Sequence, residues 1–306
     1  MIGELDGTAW GRLVNMVTEG YPEHAEFVAK SFASCSPTAK ETAFRTAESI
    51  ERLVRGREGN VLQGYRWMCE MVLEEELHFR RNGTYRYSRF VDANREVYSN
   101  ESLMDKYMSG LLLSQILWAN HLAVFDFYSR EFVNRLRTKD RHLEVGPGHG
   151  LFLYEAAKRP VNEVVGWDVS KTSLDRTKHC LSELGVTTAV KLEERNVFEP
   201  LAAEDRSRFD SIVISEVLEH VEQPLEALVA LRSCLAPGGQ LFVNAPVNSP
   251  ALDHIYLFQE PEELVDLVRS AGFTVDKTLF APVTGYSEAH ARKRRFPISA
   301  AVIAHV

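Results

Sequence analysis

The stretch His142-Leu143-Glu144-Val145-Gly146-Pro147-Gly148-His149-Gly150 decides how this chain is read. Its apolar start fits a buried strand, and its end, Glu-x-Gly-x-Gly-x-Gly, fits a binding loop. Glycines at spacing two leave no Cβ in the way, so the backbone can turn sharply and let a flat ligand lie against it. The dinucleotide fingerprint Gly-x-Gly-x-x-Gly places its third glycine one step later, where a helix N-terminus meets a pyrophosphate. That step is missing here.

Asp168 closes a second apolar run, Val164-Val165-Gly166-Trp167-Asp168, where an acidic side chain can accept both hydroxyls of a ribose. A ribose-binding acid beside a glycine loop not cut for a diphosphate points to a nucleoside without phosphates, with S-adenosylmethionine the obvious candidate. Taken singly, the glycines also fit an ordinary tight turn and Asp168 a helix cap.

Four pieces in order carry a resemblance to a known family: Glu144 to Gly150; Asp168; Phe209-Asp210-Ser211-Ile212-Val213-Ile214-Ser215-Glu216-Val217-Leu218-Glu219-His220-Val221; and Leu235-Ala236-Pro237-Gly238-Gly239-Gln240-Leu241-Phe242-Val243. From about residue 140 to the C-terminus the chain resembles the class I S-adenosylmethionine-dependent methyltransferases. The resemblance implies an α/β fold with a doubly wound, mostly parallel seven-stranded sheet, and methyl transfer with S-adenosylhomocysteine as the product.

The pattern along the chain agrees. Beyond residue 140, apolar runs near 141–145, 164–168, 188–193, 209–214 and 240–245 alternate with helical patterns near 150–158, 172–184, 224–235 and 260–271. Such alternation predicts a parallel sheet covered on both faces, with ligands beyond the carboxyl ends of the strands. Phe273 to Leu279 and Pro297 to Val306 fit the family's final antiparallel pair. Before it, apolar residues recur at three- and four-residue spacing near 8–19, 22–33, 38–56, 60–81 and 105–136, with breaks at Ser36-Pro37 and Asn82-Gly83. The expected division is an all-helical N-terminal lid or substrate domain over 1–138 and an S-adenosylmethionine-binding catalytic domain over 139–306.

On the family's pattern, Glu144, Gly146, Gly148 and Gly150 frame the methionine end of the donor, Asp168 takes the ribose hydroxyls and Val169 lies beside the adenine. Where relatives carry an acid at the end of the third strand this chain has Asn196, followed by Val197; an Asn carbonyl can serve the same adenine amino group. Ser215 and Glu216 close the fourth strand at the seam between donor and acceptor.

A sulfonium methyl is already electrophilic, so catalysis can rest on alignment and exclusion of water, with a base needed only for a protonated nucleophile. His220, in Glu-Val-Leu-Glu-His, is the first candidate base, or a histidine that shapes the pocket wall; His254 is the second, or an anchor for the following helix. The polar, proline-stiffened run from Asn244 to Phe258 is expected to wall the acceptor with Asn248, Asp253 and Tyr256. From the helical part, Tyr107, Ser114, Trp118, His121 and Phe125 fall on one face of a helix, either as core or as an acceptor lid in which Tyr107, Trp118 and His121 touch substrate.

In 306 residues, 45% hydrophobic and 25% charged, the chain can bury one large core or two smaller ones. A net charge of −8 argues against nucleic acid, and Arg292-Lys293-Arg294-Arg295 fits a solvated hairpin tip. Cys35, Cys69, Cys180 and Cys234 lack zinc or disulfide spacing, so no metal is expected. The acidic start and the lack of any run approaching about 18 apolar residues suggest a cytoplasmic protein without a signal or membrane span. A homodimer is left open.

The leading reading is a methyltransferase acting on O, N or C of a small organic acceptor, in the setting of secondary metabolism. Aminocarboxypropyl transfer or cyclisation of the cofactor keeps the same donor site, and a non-catalytic S-adenosylmethionine-binding module is a third reading. A nicotinamide oxidoreductase fits poorly because the third glycine is misplaced.

Overall fold

A computed structural model describes residues 4–306. Seven strands form one sheet: β1 Arg141–Val145, β2 Glu163–Asp168, β3 Val190–Glu194, β4 Phe209–Ser215, β5 Leu235–Val247, β6 Thr274–Pro282 and β7 Ile298–His305. Their order is β3-β2-β1-β4-β5-β7-β6. The first five run parallel, and β7 pairs antiparallel with both β5 and β6, so the sheet is mixed.

Side chains alternate across the strands and sort into two cores. Leu143, Val145, Ile212, Ile214, Leu241 and Val243 point to one face, into a cluster with Leu228 and Leu231 of α10 (Pro224–Cys234) and Leu264 and Val268 of α11 (Pro261–Ser270). Val213, Phe242, Ala301 and Ile303 point to the other face. There α8 (Leu151–Ala157) and α9 (Lys171–Glu183) cover β2, and α9 also covers β3.

The rest of that second face is covered from the N-terminal half. Its helices are α1 Ala9–Gly20, α2 Ala25–Ser34, α3 Pro37–Val54, α4 Glu58–Asn82, the short α5 Phe90–Ala93, α6 Glu101–Leu117 and α7 Ala119–Phe127. Local chemistry fixes their ends. Ser36 caps α3 by accepting the Ala39 N–H, with Pro37 at the first helical position. Gly83 ends α4 at φ 72°, a left-handed conformation that favours glycine. α7 and the π-helical turn Tyr128–Phe132 continue onto the sheet, where Phe242 meets the rings of Tyr128 at 5.1 Å and Phe132 at 5.8 Å. One apolar cluster therefore runs from Trp10 through the helices to Ile303.

Two expectations need correction. The helix expected over 105–136 is broken at Trp118, and its two parts meet at 78°. Trp118 is extended (φ −110°, ψ 122°), its indole N–H donates to Tyr65 Oη at 3.0 Å, and the freed Ala119 N–H is taken by Thr284 Oγ1 at 3.1 Å. Arg292 to Arg295 lie in the connection of the antiparallel pair β6–β7, with Lys293, Arg294 and Arg295 exposed as expected, but the connection is helical rather than a bare tip. Residues Glu288–Arg294 are helix α12, capped by Ser287, and Arg292 is held by Glu260, Glu262 and Glu288. No single helix among the described residues is long and apolar enough to cross a membrane.

Candidate active site

A cavity of about 330 Å³, at the small end of ligand sites, opens over the carboxyl ends of β1 and β4, where the strand order reverses. Its donor end is framed by Glu144, Gly146, Gly148, Asp168, Val169, Asn196 and Val197, all on the wall. Gly146 (φ 71°) and Gly148 (φ 51°) are both left-handed. A Cβ on Gly146 would stand 2.4 Å from Val217 Cγ2, whereas one on Gly148 would meet only Met108 Sδ at 3.8 Å and Gly146 O at 3.9 Å, and so would project into the cavity. Gly148 thus forms a cradle that a ligand can occupy.

The acids at this end suit a nucleoside with a cationic tail. Glu144 is fully buried and its Oε2 has no hydrogen-bond partner; burial and the nearby Asp168 charge push its pKa well up. A ligand ammonium would relieve that cost. Asp168 Oδ1 accepts the Ser170 N–H at 2.8 Å. Burial raises its pKa to about 6 against the backbone N–H groups of Ser170, Val169 and Gly148. Asn196 lines the cavity, but its Oδ1 accepts the Phe198 N–H at 3.0 Å, so the carbonyl already closes its own turn.

Gly150 is off the wall. It starts α8 at φ 85°, and a Cβ there would meet Cys180 Cβ at 3.1 Å and Thr177 Cα at 3.2 Å. Its role is close packing of α8 on α9 rather than ligand contact.

The acceptor end is built where the turn after β4 meets the loop after β5. Ser215 and Glu216 lie on the wall; Asn244 Nδ2 donates to Ser215 Oγ at 3.2 Å and to Glu216 Oε1 at 2.6 Å. Glu216 is held at φ 54°, an uncommon conformation for a residue with a Cβ. The 3₁₀ turn Leu218–His220 follows, and the Glu219 carbonyl accepts the N–H groups of both Ile255 and Tyr256, which ties the two segments together.

His220 and His254 both face the cavity, their rings 5.0 Å apart. His220 Nδ1 lies 3.1 Å from Asp253 O, and His254 Nδ1 lies 2.6 Å from Ser249 O. Burial, then the neighbouring His220, lower the His254 pKa to about 4. Burial also drives the Glu216 and Glu219 carboxyls up, and each is raised further by nearby carboxylates.

The N-terminal helices close this end. Tyr98 Oη donates to Asp253 Oδ2 at 2.9 Å and Tyr107 Oη to Asp253 Oδ1 at 3.2 Å, so one buried carboxylate is held by two hydroxyls from another part of the chain. His121 lines the cavity with its Nδ1 2.9 Å from Ser114 Oγ. The expected stripe does not stay on one face: Tyr107 before the break and His121 after it reach the cavity, Trp118 turns to Tyr65, and Phe125 packs on Phe152 at 4.9 Å.

Asn248 and Tyr256 are also off the wall. Asn248 takes φ 48° at the end of β5 and donates from Nδ2 to Gln259 O at 2.7 Å, and the ring of Tyr256 packs tilted against Phe258 at 4.8 Å. Sequence reasoning passed over Glu219 and Tyr98. Glu219 stood in the quoted Glu-Val-Leu-Glu-His run, where attention went to the histidine. Tyr98 lies in a π-helical turn (Asn94–Tyr98) with no periodic signal.

Comparison with known proteins agrees with this geometry. A family model described as a methyltransferase domain matches residues 119–278. The ubiquinone biosynthesis O-methyltransferase of Cereibacter sphaeroides is 31% identical over 166 residues, 47% of this chain and 65% of that protein. That of Alkalilimnicola ehrlichii is 32% identical over 128 residues, 42% and 50%. The chain thus spans less than two thirds of the length of these curated relatives. In structure it is similar to a putative sarcosine dimethylglycine methyltransferase from Galdieria sulphuraria, with a TM-score of 0.51 at 13% identity over 61% of this chain and 85% of that one. This chain belongs to the class I S-adenosylmethionine-dependent methyltransferases.

Proposed function

We propose that this chain transfers the methyl group of S-adenosylmethionine to a hydroxyl oxygen of a small organic acceptor. The observation that carries the reading is the single cavity whose wall runs from the Gly146–Asp168 donor end to the Glu216–His220 acceptor end. Oxygen is favoured as the acceptor atom because the curated relatives are named O-methyltransferases.

The donor supplies an electrophilic methyl. Glu144 and Asp168 would hold its ammonium and ribose, and Gly148 would let it lie against the backbone. In the transfer an O–C bond forms as the C–S bond breaks, the electron pair stays on sulfur, and the hydroxyl proton leaves at the Glu219, His220 and His254 cluster. Either His220 or His254 can serve there as the base. The helical part, residues 4–138 of those described, acts as the lid: Tyr98, Tyr107, Met108 and His121 supply the acceptor wall and exclude water.

The test is incubation with S-adenosylmethionine and a panel of phenols, vicinal diols and hydroxy acids, with products weighed by mass spectrometry. A methyl increment with equimolar S-adenosylhomocysteine is expected. An aminocarboxypropyl increment, or donor turnover without a modified acceptor, would refute the reading.

A further inference from the structure

At the acceptor end the polar groups face one another in a way that hydrogen bonding alone does not satisfy. His220 and His254 each direct Nδ1 at a backbone carbonyl, of Asp253 at 3.1 Å and Ser249 at 2.6 Å. A carbonyl only accepts, so both Nδ1 atoms carry a proton, and in the neutral form of each ring Nε2 presents its lone pair. Those lone pairs face Glu219 Oε1, at 3.5 Å from His220 and 4.0 Å from His254. Glu219 is fully buried, and neither of its oxygens has a hydrogen-bond partner. Two imidazole lone pairs and a carboxylate thus converge on one point with no donor among them.

The charge around them is equally one-sided. Glu216 and Asp253 are the other ionisable carboxyls nearby; Asn244 packs on the first, Tyr98 and Tyr107 on the second, and His220 Nδ1 lies 3.6 Å from Asp253 Oδ2. Among the described residues the cavity's one basic wall residue besides histidine is Arg195, which pairs with Asp205 at 2.6 Å. Buried carboxylates without a cation are costly.

We propose that Glu219, His220 and His254 bind a divalent metal cation. One ligand atom from each lies within 4.8 Å of the others, a span that an ion with bonds of about 2.0–2.3 Å closes with small side-chain adjustments. The carbonyl contacts at Nδ1 are the outer partners that metal-bound histidines use to fix their tautomer. Glu216, three residues earlier and held by Asn244 Nδ2, supplies a second carboxyl beside the ion. Three protein ligands leave positions open to the cavity, where a hydroxyl oxygen of the acceptor can bind and lose its proton to water more readily, as metal-bound water does; the ion then takes over the part of the imidazole base, because both Nε2 lone pairs are its ligands. This last role rests on the methyl-transfer reading; the cation site does not.

The experiment uses the full chain, stripped with a chelator and saturated with S-adenosylhomocysteine, then titrated with Mn²⁺ while free Mn²⁺ is followed by electron paramagnetic resonance. One Mn²⁺ per chain is expected. Glu219→Gln keeps the shape and removes the charge, and His254→Asn keeps a donor for Ser249 O while deleting Nε2. Each should weaken Mn²⁺ binding by about tenfold or more, with S-adenosylhomocysteine affinity within about twofold as proof of folding. Absence of tight Mn²⁺ in the wild type, or affinity unchanged by both substitutions, would overturn the site. Failure to bind S-adenosylhomocysteine would instead count against the donor reading, so the two failures are separable.

Discussion

Two glycines of the same loop should respond to the same substitution in opposite ways. In Gly148→Ala the left-handed backbone costs about 1–2 kcal/mol. The new methyl meets no protein atom closer than Met108 Sδ at 3.8 Å, so little else in the fold changes. It stands instead in the donor cradle. Overpacking by one methyl costs about 1–3 kcal/mol, which corresponds to roughly 5- to 150-fold in Kd. In Gly150→Ala the same backbone cost is joined by contacts of 3.1–3.3 Å to Cys180 and Thr177, and the Thr177 atom is backbone that cannot swing away. The total is about 2–5 kcal/mol of stability, or roughly 4–10 °C in Tm for a chain of this size. Calorimetric titration with S-adenosylhomocysteine and thermal melts of both variants decide the matter. Gly148→Ala should lose affinity with a small change in Tm, and Gly150→Ala should melt early yet bind nearly normally when cold. If Gly148→Ala binds within twofold of wild type, the cradle is not where the donor lies.

Other expectations concern the two ends of the cavity and the core beneath them. Asp168→Ala should weaken S-adenosylhomocysteine by about 1.5–3 kcal/mol, measured by titration. Ribose hydroxyls donate to the ionised carboxylate, and burial pushes the Asp168 pKa up to about 6; affinity should therefore be full well above pH 6 and fall as pH drops through it, a dependence that Asp168→Asn should flatten. Tyr98→Phe and Tyr107→Phe each take one donor from the buried Asp253; steady-state kinetics should show a loss of about 1.5–3 kcal/mol in kcat/KM for the acceptor while donor affinity stays constant. Phe242→Ala should cost about 3–5 kcal/mol in denaturant unfolding, with Tyr128, Phe132 and Phe152 left around the gap.

Much of the sheet was legible because strands buried on both faces read as continuous apolar runs bounded by glycine and acid. β1, β2 and β4 fall within a residue of their expected bounds. The misreadings have tertiary causes. Nothing local breaks the helix at Trp118, where neither glycine nor proline stands; the break is held by Tyr65, 53 residues before Trp118, and Thr284, 165 residues after Ala119. The basic run was different, since its helix could have been read. Ser287 followed by Glu288 is an N-cap with an acid in the first turn, and Glu288 with Arg292 is a helical ion pair.

At the site, legibility tracks how each group is positioned. Glu144, Gly146, Gly148 and Asp168 sit at strand ends, where sequence order alone fixes their place, and all four reach the cavity. Asn248 and Tyr256 belong to the loop after β5, whose path is set by contacts no local pattern encodes. The same loop presents Asp253 to Tyr98 and Tyr107, and carries the carbonyls of Ser249 and Asp253 that fix the tautomers of His254 and His220. Residue type alone made the two histidines candidates for a base. Their ring orientation adds what type cannot: each Nδ1 is committed to the backbone and each Nε2 is turned toward an unpartnered carboxylate. The N-terminal helices grip this arrangement through Asp253, so a change in the lid reaches the imidazoles through one residue that touches both.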